Sequence, residues 1–325
     1  MAHFDLPLPA LRTYRSGTAE PDGFGDFWTR TLGEARAAAK PVELTEVATP
    51  LRGVTTYDVT FTGYAGQPIK AWLNVPAGAS GPLPIAVEFI GYGGGRGRPL
   101  EWLLWNAAGY AHLVMDTRGQ GGNWRGGDTP DPDADGAGPS SPGFLTRGVR
   151  SPETHYYRRL FTDAARAVET VAELPGVDAS KVVTTGKSQG GALSIAAAGL
   201  VPDRVAAVVA GVPFLCDIRR AVTVTDSFPF QEIVMFLRAN ADRAEQTFAT
   251  LDHFDVVNLA RRITAPALLS TALMDTVCPP SGVFAAFNEI TSSKEIDVYD
   301  WDGHEGGRAF FDTKALEFAA AHLLS

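Results

Sequence analysis

The chain has 325 residues, of which 45% are hydrophobic, and this is enough to build a continuous core in one large domain. Its 37 acidic residues outnumber its 28 basic residues, so the formal net charge is -9. Such an excess of negative charge disfavours attraction to a nucleic-acid backbone or to an anionic membrane surface. The composition therefore predicts a globular protein with neither nucleic acid nor a membrane as a partner.

The cysteines and the N-terminal residues indicate the metal content and the cellular location that we expect for the protein. Cys216 and Cys278 form no CxxC motif and have no nearby histidine at metal-ligand spacing, so we expect free thiols, no metal and no cofactor. The first residues lack the basic and apolar segments of a secretion signal. No apolar run approaches the roughly 20 residues that span a bilayer. Together these features predict a cytoplasmic protein.

The first predicted elements in chain order are the strands of a β-sheet. Residues 55–62 alternate polar and apolar side chains and residues 69–75 follow a short turn, which predicts an antiparallel hairpin at one edge of the sheet. Continuous apolar segments follow at residues 85–90, 111–115, 182–185, 205–210, 267–273 and 296–299. Strands that are buried on both faces and alternate with helices indicate an α/β fold with a mostly parallel sheet.

The segments between these strands predict helices and one long loop. Helical periodicity is present at residues 163–174 and 189–198, and residues 128–142 are rich in Asp, Gly, Pro and Ser, as surface loops are. The stretch at about 216–260 interrupts the alternation without a clear strand. We interpret it as a helical insertion over the C-terminal edge of the sheet, and residues 1–80 as a helical and hairpin extension of the same single domain, 1–325.

The strongest chemical motif is G-x-S-x-G at residues 186–190, between an apolar strand and a helix of small residues. In the α/β-hydrolase fold this context is a nucleophile elbow, whose sharp turn lifts the Ser188 hydroxyl above the sheet. Gly186 and Gly190 remove side chains that would collide there. A glycine-rich turn with a capping serine is the alternative, because the motif also arises by chance in a chain with 34 glycines.

The other two members of a catalytic triad are predicted by chain order. An α/β-hydrolase places its acid after a late strand and its histidine after the last strand, and Asp275 and His304 occupy those two places. His304 would accept the Ser188 proton, and Asp275 would orient the imidazole. Taken singly, Asp275 could cap a turn and His304 could be a surface residue. Asp302 is interpreted as a loop residue.

The glycine-rich run at residues 91–97 predicts an oxyanion hole. Acyl transfer needs N–H donors for the developing negative charge, and we assign the backbone N–H groups of Tyr92 and Gln189 to this role. The glycines do not fit G-x-G-x-x-G, and no Walker lysine follows them. The run therefore does not indicate a phosphate or dinucleotide site.

Several ordered motifs resemble carbohydrate esterase family 7, which comprises acetyl xylan esterases and cephalosporin C deacetylases. The matching segments extend over essentially the whole chain and are Asp26-Phe27-Trp28 before Leu32, residues 91–97, Arg118-Gly119-Gln120, Ser188-Gln189-Gly190-Gly191, residues 213–217, Asp275 and Gly303-His304-Glu305. The resemblance implies removal of O-acetyl groups from xylo-oligosaccharides and cephalosporin C by the residues already named. It also implies an intracellular homohexamer.

Four positions near these motifs carry further expectations. Lys187 departs from the small residue that the family usually has before the nucleophile, which bears on substrate preference. Arg118, Gln120 and Glu305 are expected to support the site, with an Arg118–Glu305 ion pair bracing the His304 loop. Two solvated charges are the alternative for that pair.

The motifs thus predict a serine hydrolase, and the family resemblance implies an esterase for small acetylated carbohydrates. Alternatives with the same triad are a general carboxylesterase, a thioesterase or an oligopeptidase, and the length of the accepted acyl chain would separate them. A non-catalytic α/β-hydrolase scaffold is disfavoured because Ser188, Asp275 and His304 are all present.

Overall fold

The computed structural model describes residues 3–132 and 142–324, so most of the loop predicted at residues 128–142 lies outside the described residues. In this part of the chain the strands are β1 (Glu43–Val47), β2 (Val54–Thr62), β3 (Pro68–Pro76), β4 (Leu83–Phe89), β5 (Ala111–Met115), β6 (Val177–Lys187), β7 (Ala207–Gly211), β8 (Ala267–Ala272) and β9 (Lys294–Tyr299). They form one sheet in the order β1-β2-β3-β5-β4-β6-β7-β8-β9.

The sheet is antiparallel at one end and parallel over the rest. Strands β1, β2, β3 and β5 pair antiparallel, and all pairs from β5 through β4 to β9 are parallel. The predicted mostly parallel α/β sheet is confirmed. The predicted hairpin is β2 and β3, but β1 forms the edge outside it. Sequence pattern did not reveal β1 because its side chains are exposed or half-buried, without the alternation that marks a strand.

Helices cover both faces of this sheet. The described helices are α1 (Leu8–Leu11), α2 (Phe24–Ala37), α3 (Leu104–Ala107), α4 (Tyr156–Thr170), α5 (Gln189–Leu200), α6 (Ile218–Val224), α7 (Gln231–Ala239), α8 (Ala244–Leu251), α9 (Val256–Ala260), α10 (Pro280–Glu289) and α11 (Arg308–Leu323). Along β7, Val208 and Ala210 join the core beneath α4 and α5, whereas Ala207 and Val209 join the core beneath α11. This alternation explains why the strand is apolar throughout.

Helix α4 begins seven residues before the predicted helix at 163–174 and ends earlier than predicted. Its first turns carry Arg158 and Arg159, which hide the apolar periodicity although both side chains are buried. Arg159 pairs with Asp131 at 2.8 Å, and Arg158 pairs with Glu153 at 2.7 Å. Buried charges are tolerated where such partners neutralise them.

Helices α6 to α9 lie between β7 and β8, where the sequence predicted a helical insertion at about 216–260. Residues just before α7 and on its first turn reach the cavity above the carboxyl ends of the parallel strands. Among the helices of residues 3–132 and 142–324, none combines the length and apolar character needed to cross a membrane.

Candidate active site

The turn between β6 and α5 has the geometry of a nucleophile elbow. Ser188 has φ 58° and ψ -120°, a backbone conformation that is strained for a side chain other than glycine. A Cβ on Gly186 would lie 2.6 Å from the carbonyl carbon of Gly190, and one on Gly190 would overlap the Phe89 carbonyl oxygen. The two motif glycines are therefore required by the close approach of β4 and α5.

Asp275 and His304 meet at the ends of β8 and β9. His304 Nδ1 lies 2.9 Å from Asp275 Oδ2, and the other carboxylate oxygen accepts hydrogen bonds from the backbone N–H groups of Val277 and Cys278. Asp275 is fully buried, so these bonds fix its orientation. This arrangement holds the imidazole in one tautomer and would stabilise an imidazolium. Asp302, the neighbouring acid, accepts instead from the Gly307 N–H, as a loop residue does.

Ser188, His304 and the segment 88–92 line one cavity of about 680 Å³. Its volume is within the range of small-molecule sites. The insertion before and on α7 contributes Phe228, Pro229 and Glu232 to the lining. The insertion therefore forms one wall of the cavity that contains Ser188, as a lid does.

The side-chain amide of Gln120 contacts both segments that carry the residues assigned to the oxyanion hole. Gln189 is the first residue of α5, where backbone N–H groups have no acceptor within the helix. Gln120 Oε1 accepts from the Gly93 N–H at 2.6 Å, directly after Tyr92, and Gln120 Nε2 donates to Gln189 Oε1 at 2.9 Å. Gln120 therefore connects the loop of one proposed donor to the residue of the other.

A second connection ties Tyr92 to the inserted helices. The Tyr92 hydroxyl donates to Glu232 Oε1 at 2.5 Å and accepts from the Phe144 N–H, while Glu232 Oε2 accepts from the Leu145 N–H. Burial raises the pKa of both the Tyr92 hydroxyl and the Glu232 carboxyl. Sequence reasoning missed Glu232 because it comes from α7, 140 residues after Tyr92, and no motif marks it.

The predicted ion pair between Arg118 and Glu305 is wrong. Arg118 is fully buried and binds Asp163 through two guanidinium nitrogens at 2.5 and 2.8 Å. Glu305 is exposed and bonds to Arg308 and to the Gly303 N–H within its own loop. A buried guanidinium needs a buried carboxylate, and Asp163 on α4 supplies one that Glu305 cannot. Arg118 thus stabilises the packing beneath the site instead of the His304 loop.

Lys187, the departure from the family pattern, points toward α11. Its Nζ lies 2.8 Å from Asp312 Oδ1, and its stem passes close to Gly211. Both charged groups are partly exposed, so the pair contributes little to stability. The ion pair connects the elbow to the helix that follows the His304 loop.

Cys278 places a thiol next to the carboxylate of Asp275 and the imidazole of His304, and all three groups are able to bind metal ions. Its Sγ lies 4.0 Å from Ser188 Oγ, and within the described residues the side-chain ligand atoms of Asp275, Cys278 and His304 all lie within 4.8 Å of one another. Burial and the nearby Asp275 raise the pKa of the Cys278 thiol well above its ordinary value. The linear spacing of Cys278 and His304 in the sequence did not indicate this proximity.

A mostly parallel sheet with a serine elbow after β6, an acid after β8 and a histidine after β9 defines the class of α/β-hydrolases. The sequence profile described as acetyl xylan esterase (AXE1) matches residues 1–322. The chain belongs to this family, whose members are carboxylic ester hydrolases, and the predicted resemblance is confirmed.

Two solved structures show the same architecture at substantial sequence identity. The acetyl xylan esterase from Paenibacillus sp. R4 is 37% identical with a TM-score of 0.91, and the match covers 98% of this chain and 100% of that one. Acetyl xylan esterase 1 from Thermoanaerobacterium sp. JW/SL YS485 is 38% identical with a TM-score of 0.90, covering 99% and 100%.

More distant similarity is found in two other proteins. The acetyl esterase Axe7A of Xylanibacter ruminicola is 29% identical over 289 residues, and the match covers 86% of this chain but 62% of that relative's length. An acylaminoacyl peptidase of Pyrococcus horikoshii is 16% identical with a TM-score of 0.60, covering 87% of this chain and 42% of that one. The peptidase match shows the shared fold alone.

Proposed function

We propose that this protein is a serine esterase that removes O-acetyl groups from small acetylated carbohydrates such as xylo-oligosaccharides, and from acetyl esters of the cephalosporin C type. The observation that carries the proposal is the hydrogen bond between His304 and the buried Asp275, at the rim of the cavity that contains Ser188. Relatives named as acetyl xylan esterases support acetylated xylan as the source of the substrate.

The chemistry follows from the arrangement of these side chains. His304 takes the proton of Ser188 as its oxygen attacks the acetyl carbonyl carbon, and the N–H groups of Tyr92 and Gln189 stabilise the oxyanion. His304 then protonates the leaving sugar hydroxyl, and an acetyl-enzyme remains on Ser188. Water, deprotonated by His304, attacks this ester and releases acetate.

A general carboxylesterase, a thioesterase and an oligopeptidase are the competing activities, since the same triad serves all of them. The distinction depends on acyl size. A pocket that is too small by one methylene costs about 1 to 3 kcal/mol, or roughly 10- to 200-fold in kcat/KM. We therefore expect kcat/KM to fall steeply from acetyl through propionyl to butyryl esters.

The test is kcat/KM for acetyl, propionyl, butyryl and octanoyl esters of one leaving alcohol, together with acetate release from acetylated xylo-oligosaccharides, polymeric xylan and cephalosporin C. Preference for acetyl esters and for the oligosaccharide supports the proposal. Equal or rising kcat/KM up to octanoyl would favour a general carboxylesterase, and cleavage of amide substrates would favour a peptidase.

The proposal includes three further properties, of which the family resemblance implies the first two, whereas the third follows from the lack of metal-ligand spacing in the sequence. The protein would act in the cytoplasm, it would assemble as a homohexamer, and its activity would not depend on a metal. The test of the last property is dialysis against EDTA, after which acetate release should be undiminished because His304 activates water without a metal. Loss of activity that one divalent ion restores would contradict it.

A further inference from the structure

The end of β8 brings together side chains that bind soft divalent cations as well as side chains for ester hydrolysis. Asp275, Cys278 and His304 offer a carboxylate, a thiol and an imidazole whose ligand atoms lie within 4.8 Å of one another. Ligand atoms on one tetrahedral zinc ion lie roughly 3.5 Å apart, given Zn–S and Zn–N bonds of about 2.3 and 2.0 Å. The ligand atoms of the cluster are therefore at most about 1.3 Å further apart than one ion requires, and rotation of the Cys278 and His304 side chains has to close this difference.

The contact between His304 and Asp275 has the form that metal-binding histidines use. A ligating imidazole commonly donates its other N–H to a carboxylate, which fixes the ring and raises its basicity. His304 Nδ1 is bonded to Asp275 Oδ2, so the second ring nitrogen is the one available to a cation. Asp275 would keep its present contacts while His304 binds the metal.

Cys278 supplies the sulfur ligand, next to Ser188. Its Sγ is 4.0 Å from Ser188 Oγ, and Ser188, Val277 and His304 line the open cavity through which an ion would enter. A Cys278 thiolate and the buried Asp275 carboxylate together carry two negative charges, which balance the charge of a divalent cation beside this cavity. Thiolate and imidazole are ligands that suit zinc.

We propose that Cys278 and His304 form an inhibitory site for a thiophilic divalent cation such as Zn²⁺, with Ser188 Oγ or solvent completing the coordination. On binding, the Cys278 S–H bond breaks, a metal–sulfur bond forms and the proton passes to solvent, with no change of oxidation state. The His304 lone pair that would accept the Ser188 proton is then occupied by the metal. The bound enzyme cannot start ester hydrolysis.

Binding is tested separately from activity, because the inhibition half of the proposal rests on the proposed function of Ser188 and His304. Co²⁺ is added to the purified wild-type protein and to the Cys278→Ser and Cys216→Ser variants, and the thiolate-to-metal charge-transfer absorption is recorded. Cys216 is the matched control, since it is also a buried free thiol but lies outside the cluster. We expect the band in the wild type and in Cys216→Ser and its loss in Cys278→Ser.

Inhibition is then measured with Zn²⁺ as the probe, each variant being normalised to its own activity on a soluble acetyl ester. Replacement of the sulfur ligand should raise the half-inhibitory zinc concentration on the order of 10- to 100-fold or more, as removal of weaker supporting groups already does at metal sites. Cys216→Ser should match the wild type, and EDTA should restore activity. Cys278→Ala is the second variant, should the serine perturb the site.

The absence of a charge-transfer band in the wild type, or its persistence in both Cys278 variants, would overturn the site. A band that Cys278→Ser removes, with unchanged zinc sensitivity, would overturn the inhibition. If no acetyl ester is hydrolysed at all, the proposed function fails, and the absorption measurement still decides whether the cation binds at Cys278.

Discussion

The two sides of Ser188 are built differently. On the oxyanion side, Gln189 is fully buried, and hydrogen bonds connect it to Gln120 and, through that side chain, to the loop of Tyr92. On the other side, the His304 side chain is 34% exposed and the nearby Trp301 is 79% exposed. Within residues 3–132 and 142–324, the His304 side chain is hydrogen-bonded only to Asp275, whereas bonds from several distant segments hold the oxyanion loop.

The difference corresponds to the different tasks of the two sides. An oxyanion hole stabilises charge best when its donors are already in place, so that no reorganisation is needed as the reaction proceeds. A general base must exchange protons with Ser188, the leaving group and water in turn. We infer that, among residues that only support the site, substitutions in the buried network, such as those of Glu232, affect catalysis more than substitutions in the exposed His304 loop, such as those of Glu305.

The largest loss of turnover is expected for substitution of Ser188, which lies between the oxyanion loop and the His304 loop. Ser188→Ala should lower turnover on the order of 10⁴ to 10⁶-fold, because neither the base nor the oxyanion hole can act without a nucleophile. The fold should persist, since the Ser188 hydroxyl contributes little packing. Initial rates on an acetyl ester and circular dichroism of the purified variant check this. Retention of most of the activity would remove Ser188 from the mechanism.

Asp275→Asn tests the hydrogen bond that holds His304. The introduced amide would present an N–H group to the Nδ1 side of the ring and favour the wrong tautomer, with an expected loss in kcat on the order of 10⁴-fold. The asparagine would keep an oxygen for the Val277 and Cys278 N–H groups, so thermal stability should change little. A variant with nearly normal kcat would show that His304 is oriented by other contacts.

Glu232→Gln tests the buried network at the point where α7 meets Tyr92. The introduced glutamine has one oxygen where the Tyr92 hydroxyl and the Leu145 N–H each need an acceptor, and an unsatisfied buried group costs about 1 to 3 kcal/mol. We expect kcat for acetyl esters to fall about 5- to 150-fold, the rate equivalent of that cost.

A double variant distinguishes an effect of Glu232→Gln that acts through Tyr92 from a general loss of structure. In Tyr92→Phe, the Glu232 carboxylate has already lost its hydroxyl donor, so adding Glu232→Gln should lower kcat less than it does in the wild type. Fully additive losses in the double variant would contradict a shared role for the two side chains.

Glu305→Gln is the counterpart on the exposed side and should have the smallest effect. Glu305 bonds to Arg308 and to the Gly303 N–H, both close to His304 in sequence, but surface ion pairs contribute about 0 to 1 kcal/mol. We expect kcat/KM within about fivefold of the wild type. A loss as large as that of Glu232→Gln would reverse the comparison between the two sides.

The sequence alone predicted those features of the site that follow from the order of strands and motifs along the chain. The motif around Ser188 predicted the elbow, and the positions of Asp275 and His304 after late strands predicted side chains that the structure brings within hydrogen-bonding distance. These signals are readable because each depends on a strand and the few residues after it. The parallel sheet was predictable for the same reason, because strands buried on both faces are continuously apolar.

The supporting contacts were not predictable, because their partners are far apart in the chain. Glu232 reaches Tyr92 across 140 residues, and Arg118 reaches Asp163 instead of Glu305, which only the fold decides. Any carboxylate can pair with a buried arginine. The presence of Arg118 and Glu305 in family motifs was therefore not enough to identify the partner of Arg118. Cys278 likewise lies beside Ser188 through the packing of two separate strand ends.

The most direct test of the account is stoichiometric labelling with an organophosphonate, followed by identification of the modified residue by peptide mass spectrometry. Ser188 is predicted to carry one phosphonyl group per chain, and Glu305→Gln should label at nearly the wild-type rate, while Glu232→Gln labels more slowly because the phosphonyl oxygen also needs the oxyanion donors. Labelling at another residue, or none in the wild type, would contradict the assignment of Ser188 as the nucleophile.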